Sequence, residues 1–173
     1  GFLITSLIWR DLETGRFTLA HFWERRARRI IPAMVAVAIF TLAAGWFVLL
    51  PDELESLGRS AAALAAFGAN IYYWQATGYF DGAAQEKPLL HTWSLAVEEQ
   101  FYFCVPFLLW ALYRSVALGR RRTVAALTGL GLAASLGMSI YGVARFPSAT
   151  FYLLPTRAWE LLLGSLVALV PPP

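Results

Sequence analysis

The sequence places a dense group of arginines directly before an apolar stretch. Within residues 22–32, four of five consecutive positions are Arg25, Arg26, Arg28 and Arg29. On a helix, residues three or four apart lie on adjoining faces, so several guanidinium groups would point in related directions. These planar donors suit phosphate oxygens, and the 3′-phosphate and pyrophosphate of coenzyme A fit that chemistry. The alternative is that the arginines orient the chain across a membrane and bind anionic lipid headgroups.

A second group of chemically active residues lies at the start of another apolar stretch. His91 and Ser94 are followed by Glu98, Glu99 and Tyr102. With a helix beginning near residue 92, a rise of ~1.5 Å per residue places both carboxylates about two turns into it. Such groups are costly inside a membrane unless they face a polar cavity or a partner.

The spacing of these residues predicts a shared helical stripe formed by positions 91, 94, 98 and 102. His91, Ser94, Glu98 and Tyr102 would then line one cavity and handle protons around a sugar hydroxyl. The alternative is that the carboxylates only favour a helix N-terminus while His91 lies in the aromatic belt of the membrane interface.

The third group is Arg157 and Glu160, three positions apart on a further apolar stretch. Two opposite charges at this spacing pair with each other or with other helices. A purely structural ion pair and a functional role both remain open.

The composition indicates a protein that lies in a membrane. Of 173 residues, 58% are hydrophobic and 14% charged, and the mean hydropathy is +0.57. This lies outside the range of ordinary soluble domains. The net charge of +3 does not indicate nucleic-acid binding, because ten of the fourteen cations are arginines in two windows flanking apolar runs.

Apolar length predicts one membrane domain over residues 1–173, an all-α polytopic transmembrane bundle. Spans are expected at about 1–9 (partial), 30–50, 94–113, 123–143 and 151–170. Because the chain starts at Gly1 within an apolar run and stops just after another, we expect it to be truncated at both ends. No metal-binding motif is found, and the single cysteine, Cys104, is expected to be an apolar filler.

The arginine-rich windows predict the orientation of these spans. One loop around residues 10–29 and another around 114–122 should both be cytoplasmic. Two crossings already join them, so residues 60–75 should form a re-entrant segment or half-helix on the outer side. The acidic bias of residues 51–93 agrees with an outward position.

The motifs together resemble the acyltransferase-3 family of bacterial membrane O-acyltransferases, over roughly its second to sixth spans. Gly1-Phe2-Leu3-Ile4-Thr5 opens the match, followed by the arginine motif with Ile30 and Pro32, then Gly78-Tyr79-Phe80-Asp81. The most specific block is His91-Thr92-Trp93-Ser94-Leu95-x-x-Glu98-x-x-Phe101-Tyr102, and Arg157-Ala158-Trp159-Glu160 closes the set.

This resemblance implies an acyl-CoA donor, usually acetyl-CoA, used at the cytoplasmic face of a bacterial inner membrane. The acceptor would be a hydroxyl of an outer glycan such as O-antigen or peptidoglycan. Arg25, Arg26, Arg28 and Arg29 would bind the donor. The family's histidine lies in its first span, upstream of Gly1, so this chain alone is expected to be inactive. The roles of the remaining residues would divide between an outward site (His91, Ser94, Glu98, Glu99) and a supporting core (Arg157, Glu160).

Two other functional classes fit parts of the pattern. In a transporter or flippase, the intramembrane charges would form a path for lipid-linked sugar or protons without covalent chemistry. A structural scaffold fits less well, because it assigns the embedded charges no task.

Overall fold

A computed structural model describes residues 1–76, 87–116 and 120–170. All regular structure in these ranges is helical. The eight helices are α1 (Phe2–Glu13), α2 (Leu19–Val48), α3 (Pro51–Ala65), α4 (Ala69–Ala76), α5 (Thr92–Ser115), α6 (Arg120–Arg145), α7 (Pro147–Tyr152) and α8 (Leu154–Leu169).

Three of these helices, α2, α5 and α6, are long and apolar enough to cross a membrane. Their apolar side chains are turned outward to an extent that water would not tolerate: Phe40 and Phe47 of α2 are 76% and 86% exposed. Large exposed apolar surfaces of this kind require lipid or further helices. The predicted all-α transmembrane class is confirmed, and the chain is a membrane protein.

Helix α2 begins earlier than the span predicted at residues 30–50. Thr18 caps it, since its Oγ1 accepts a hydrogen bond from the backbone N–H of His21 at 3.3 Å. The arginine cluster therefore lies inside the helix, not in a preceding loop. The reason is that arginine is a good helix former, so apolar length underestimates how far the helix extends.

Residues 23–99 form one of two compact units. Its apolar core consists of buried side chains of α3 and of the segment before α5, packed against one face of α2 (Leu57, Ala61, Leu64, Leu89 with Met34, Ala38 and Leu42). Helix α3 therefore folds back along α2. This packing places the start of α5 beside α2 within the unit.

The stretch predicted as a half-helix, residues 60–75, is divided between α3 and α4. They contain 15 and 8 residues, fewer than the ~20 needed to cross a bilayer. The turn between them puts Phe67 at φ +52°, a left-handed conformation unusual for a bulky side chain. Its re-entrant position in the membrane stays a prediction.

The second unit comprises residues 1–22 and 100–173. Its described residues are 1–22, 100–116 and 120–170. In it, α8 packs against both α1 and α6. The α1–α8 contact is held by a buried hydrogen bond, in which the Thr5 hydroxyl donates to Ser165 Oγ at 2.9 Å. Gly164 allows the two backbones to approach closely, because a Cβ there would lie 2.7 Å from the Phe2 nitrogen.

The helix predicted over residues 151–170 is interrupted. Chain direction changes at Leu153, which is extended between α7 and α8. Pro155 explains the break, because proline has no N–H to continue the helix from α7 but is well suited to the first turn of a new one. The remaining helix α8 has 16 residues, fewer than a full span needs.

Candidate functional site

The central feature of the 23–99 unit is an ion pair between α2 and α5. The guanidinium Nε of Arg26 donates to Glu99 Oε2 at 2.9 Å and to Oε1 at 3.1 Å, and its Nη2 also donates to Oε1. The two residues are 73 positions apart in the chain. The planar fork of arginine matches the two carboxylate oxygens, which makes this the strongest type of ion pair in proteins.

Both partners are largely withdrawn from the surface. Only 19% of the Arg26 side chain and 11% of the Glu99 side chain are exposed. A charge withdrawn in this way is expensive unless it is paired, so each side chain depends on the other. A carboxylate in an apolar helix needs a polar cavity or a charged partner, and Arg26 is that partner for Glu99.

This contact revises the predicted geometry of the site. The sequence suggested that the arginine cluster and the two carboxylates lie on opposite sides of the membrane. In the structure, one member of each group meets the other, so both belong to a single location in the unit. The revision follows from the length of α2, which continues through the arginines as a helix packed beside α5.

The other arginines of the cluster point elsewhere. Arg28 pairs with Glu24 one turn earlier on the exposed side of α2, with Nη2 2.7 Å from Oε1. Arg25 and Arg29 are also exposed and lie four residues apart, which places them on one face. Among the four predicted donor-binding residues, Arg26 is therefore committed to Glu99, whereas Arg25 and Arg29 present their charge outward.

Helix α5 begins at Thr92, as predicted, and His91 directly precedes it. Ser94 and Glu98 are exposed, and the Ser94 hydroxyl donates to the backbone oxygen of His91 at 3.1 Å. Tyr102, the fourth member of the predicted stripe, is 91% buried. Each step of four residues rotates the position by about 40° around the helix, so Ser94, Glu98 and Tyr102 lie within about 80° of one another. These three positions share one side of α5, on which Ser94 and Glu98 are exposed and Tyr102 is buried.

The third predicted group forms its own ion pair in the other unit. Arg157 Nη2 contacts both carboxylate oxygens of Glu160 at 2.9 and 3.0 Å, across one turn of α8. The Arg157 guanidinium also lies 5.6 Å from the centre of the Phe151 ring. The pair is partly exposed, with 26% and 42% of the side chains accessible.

This pair lines an open pocket of about 350 Å³ between α6, α7 and α8. The other residues that line it are two aromatic, two aliphatic and three hydroxyl-bearing ones (Phe151, Trp159, Val143, Pro147, Ser139, Thr150 and Thr156). Mostly apolar pockets with a few fixed polar groups are typical of ligand sites. The α7–α8 break creates this pocket, because a continuous helix would fill the space.

Sequence reasoning missed a residue that shapes this turn. Ser135 of α6 is 3% exposed, and its hydroxyl donates to the Pro155 carbonyl at 2.6 Å and accepts from the Trp159 backbone N–H at 2.9 Å. It thereby bonds both backbone groups that an ordinary helical bond from residue 159 to residue 155 joins. A serine in an apolar helix carries no distinguishing signal, so only the fold could identify it.

In the part of the chain that the structure describes, no group of three His, Cys, Asp or Glu side chains is arranged to hold a metal ion. The arrangement defines a polytopic helical membrane protein with paired charges inside its helical units, one of them beside a ligand-sized pocket.

Comparison with known proteins assigns this class a family. An uncharacterised protein of Haemophilus influenzae is 33% identical over 172 residues, which cover 98% of this chain and 70% of that protein. The putative peptidoglycan O-acetyltransferase YrhL of Bacillus subtilis is 34% identical over 177 residues. The peptidoglycan O-acetyltransferase OatA of Listeria monocytogenes is 33% identical over 175 residues.

The chain belongs to the same family as the Haemophilus influenzae protein, and the named relatives make this an O-acetyltransferase family. The match covers 99% of this chain in both named relatives, but the chain spans only 27% and 28% of their own length. No family model matches the chain. No solved structure matches it either.

Proposed function

We propose that this chain forms part of the membrane domain of an acyltransferase-3 type enzyme of the bacterial cytoplasmic membrane. The enzyme transfers an acyl group, in the simplest case acetyl, from cytoplasmic acyl-CoA to a hydroxyl of an extracytoplasmic glycan such as peptidoglycan. The resemblance of the motifs and the names of the relatives support this proposal.

The observation that carries the proposal is the contact between Arg26 and Glu99. It joins the helix bearing the phosphate-suited arginines to the helix that follows His91 and bears Ser94 and Glu98. A transfer reaction requires donor and acceptor to be held within reach of each other, and most of its rate advantage comes from such positioning. Residues that serve only to orient the chain would not need this long-range pair.

In the proposed donor site, Arg25 and Arg29 bind phosphate groups of coenzyme A. Their exposed guanidinium groups are four residues apart, and each offers several N–H donors to phosphate oxygens. Arg26 acts through Glu99 as a positioning residue that holds the start of α5 beside α2. This division follows exposure, since the Arg26 side chain is largely withdrawn whereas Arg25 and Arg29 are exposed.

The transfer itself exchanges one bond for another. The acceptor hydroxyl oxygen attacks the thioester carbonyl carbon, the carbon–sulfur bond breaks, and an ester and free coenzyme A result. The hydroxyl proton must leave and the departing sulfur must be neutralised, which suits a general base or acid. Glu98 and His91 are the proposed proton-handling groups, because both are exposed at the start of α5.

The test uses the full-length protein in membranes supplied with radiolabelled acetyl-CoA on the cytoplasmic side. Label on the glycan is the expected result. Movement of unmodified lipid-linked sugar without label on it would instead show a flippase and overturn the proposal. A Glu99→Gln variant distinguishes site from background, because acylation should fall while a matched exposed variant, Glu55→Gln, keeps the wild-type rate.

A further inference from the structure

We propose that the α6–α7–α8 pocket binds one sugar ring of the acceptor glycan, which makes it an acceptor subsite. This rests on the proposed function, since it names where that function's second substrate is held. The pocket is built entirely within one unit of the chain, by Arg157, Glu160, Phe151, Trp159, Ser139 and Thr156.

The lining of this acceptor subsite matches the two surfaces of a sugar. Pyranose rings have an apolar face of C–H groups and an edge of hydroxyls. Phe151 and Trp159 supply flat rings for the apolar face, and the Glu160 oxygens and Arg157 nitrogens supply acceptors and donors for the hydroxyls. Its volume of about 350 Å³ lies at the lower end of ligand pockets, as expected for one ring.

The charge of the acceptor subsite selects a neutral ligand. Arg157 and Glu160 neutralise each other through two contacts of 2.9 and 3.0 Å. A phosphate group would be attracted by the arginine but repelled by the carboxylate beside it. Hydroxyl groups, which donate and accept, are compatible with both members of the pair. An uncharged carbohydrate therefore fits better than a phosphate or a carboxylated ligand.

The subsite is also held in a fixed shape. Ser135 bridges Pro155 and Trp159 and so sets the first turn of α8, which carries Arg157 and Glu160. The Thr156 hydroxyl donates to the backbone oxygens of Thr150 and Leu153, both at 2.9 Å, and ties this turn to α7. A site whose side chains are fixed before binding loses less entropy on binding.

The experiment uses the purified full-length protein in nanodiscs and chitotetraose, an uncharged oligomer of N-acetylglucosamine, as the probe. Calorimetry gives its dissociation constant, and initial rates give KM for chitotetraose and for acetyl-CoA. The variants are Trp159→Ala, Trp159→Phe and Glu160→Gln. Trp46→Ala is the matched control, because Trp46 is 71% exposed on α2.

Trp159→Ala and Glu160→Gln should each weaken chitotetraose binding about tenfold and raise its KM about as much, as loss of a central aromatic or charged contact does. KM for acetyl-CoA should stay within about twofold. Trp159→Phe should retain most of the affinity, because a flat ring remains, and this separates loss of the contact from misfolding. Trp46→Ala should behave as wild type.

Three results would overturn the acceptor subsite. One is unchanged chitotetraose binding and KM in both Trp159→Ala and Glu160→Gln. The second is a rise in KM for acetyl-CoA alone, which would make the pocket part of the donor site. The third is displacement of chitotetraose by inorganic pyrophosphate, which would show an anion site. If chitotetraose binds in a Trp159-dependent manner but no acetyl transfer occurs, the subsite stands and the proposed function fails.

Discussion

The guanidinium of Arg26 and the carboxylate of Glu99 form a two-pronged ion pair that ties α2 to α5. Neither residue has more than a fifth of its side chain exposed. The helix carrying the arginine cluster and the helix carrying the predicted proton-handling residues are thereby fixed against each other. Stability and activity should therefore both depend on this pair.

Removal of one partner leaves the other as an uncompensated charge. We expect Arg26→Ala and Glu99→Gln each to lower the free energy of unfolding by about 3 kcal/mol or more. Thermal unfolding of the full-length protein in detergent measures this. The matched control is Arg28→Ala, which breaks the exposed pair with Glu24 and should cost less than about 0.5 kcal/mol. Equal effects of the buried and exposed variants would contradict the assignment.

The exposed arginines of α2 should contribute to donor affinity. Arg25→Ala and Arg29→Ala are each expected to raise KM for acetyl-CoA about tenfold, the usual cost of a lost charge-assisted hydrogen bond. The reference is Arg59→Ala, which removes an equally exposed arginine paired with Glu55 on α3. Steady-state rates at varied acetyl-CoA concentrations give these KM values. Unchanged KM values would show that Arg25 and Arg29 do not bind the donor and serve only to orient the chain in the membrane.

Glu98 and Glu99 should give different phenotypes although they are neighbours in sequence. Glu98 is exposed, so Glu98→Gln should leave the unfolding midpoint unchanged while kcat falls about 100-fold through loss of proton handling. Glu99→Gln should lower both quantities. Glu55→Gln, at an exposed position of α3, is the reference for a neutralised surface carboxylate. A fully active Glu98→Gln protein would remove Glu98 from the reaction.

The hydroxyl of Ser135 should be required for the stability of the α7–α8 turn. Ser135→Ala removes the group that bonds Pro155 and Trp159, and a loss of about 1–3 kcal/mol is expected if the helix cannot close the gap. Thr128→Val serves for comparison, because the Thr128 hydroxyl bonds only the Val124 carbonyl of its own helix. Similar midpoints for the two variants would show that the turn does not need Ser135.

Close approach of α1 and α8 should make Gly164 intolerant of a larger residue. In Gly164→Ala the new Cβ would lie 2.7 Å from the Phe2 backbone nitrogen, so the helices must separate, at a cost of about 1–3 kcal/mol. Gly137→Ala on α6 has open space around the new carbon and should be neutral or stabilising by up to ~1 kcal/mol. Equal unfolding midpoints would refute tight packing at Gly164.

Several elements could be predicted because they depend on local sequence. The start of α5 near residue 92 follows from apolar length, and so does the expectation that residues 60–75 do not cross fully; their division between α3 and α4 was not predicted. The break at Leu153 was missed, although Pro155 signals it, because the combined length of the apolar residues on both sides of it suggested one continuous span. Apolar length and proline are both local signals, and here the proline decided where the helix breaks.

By itself, the sequence determined the helical membrane class, most helix positions and the residues able to do chemistry. Only the tertiary structure decided that Glu99, not Glu98, meets Arg26, and that Ser135 bridges the α8 turn. The physical reason is that adjacent helical residues point about 100° apart, so a partner 73 positions away is selected by the rotation and packing of whole helices. That rotation is set by long-range contacts such as those of Leu57 and Leu89, which no local pattern encodes.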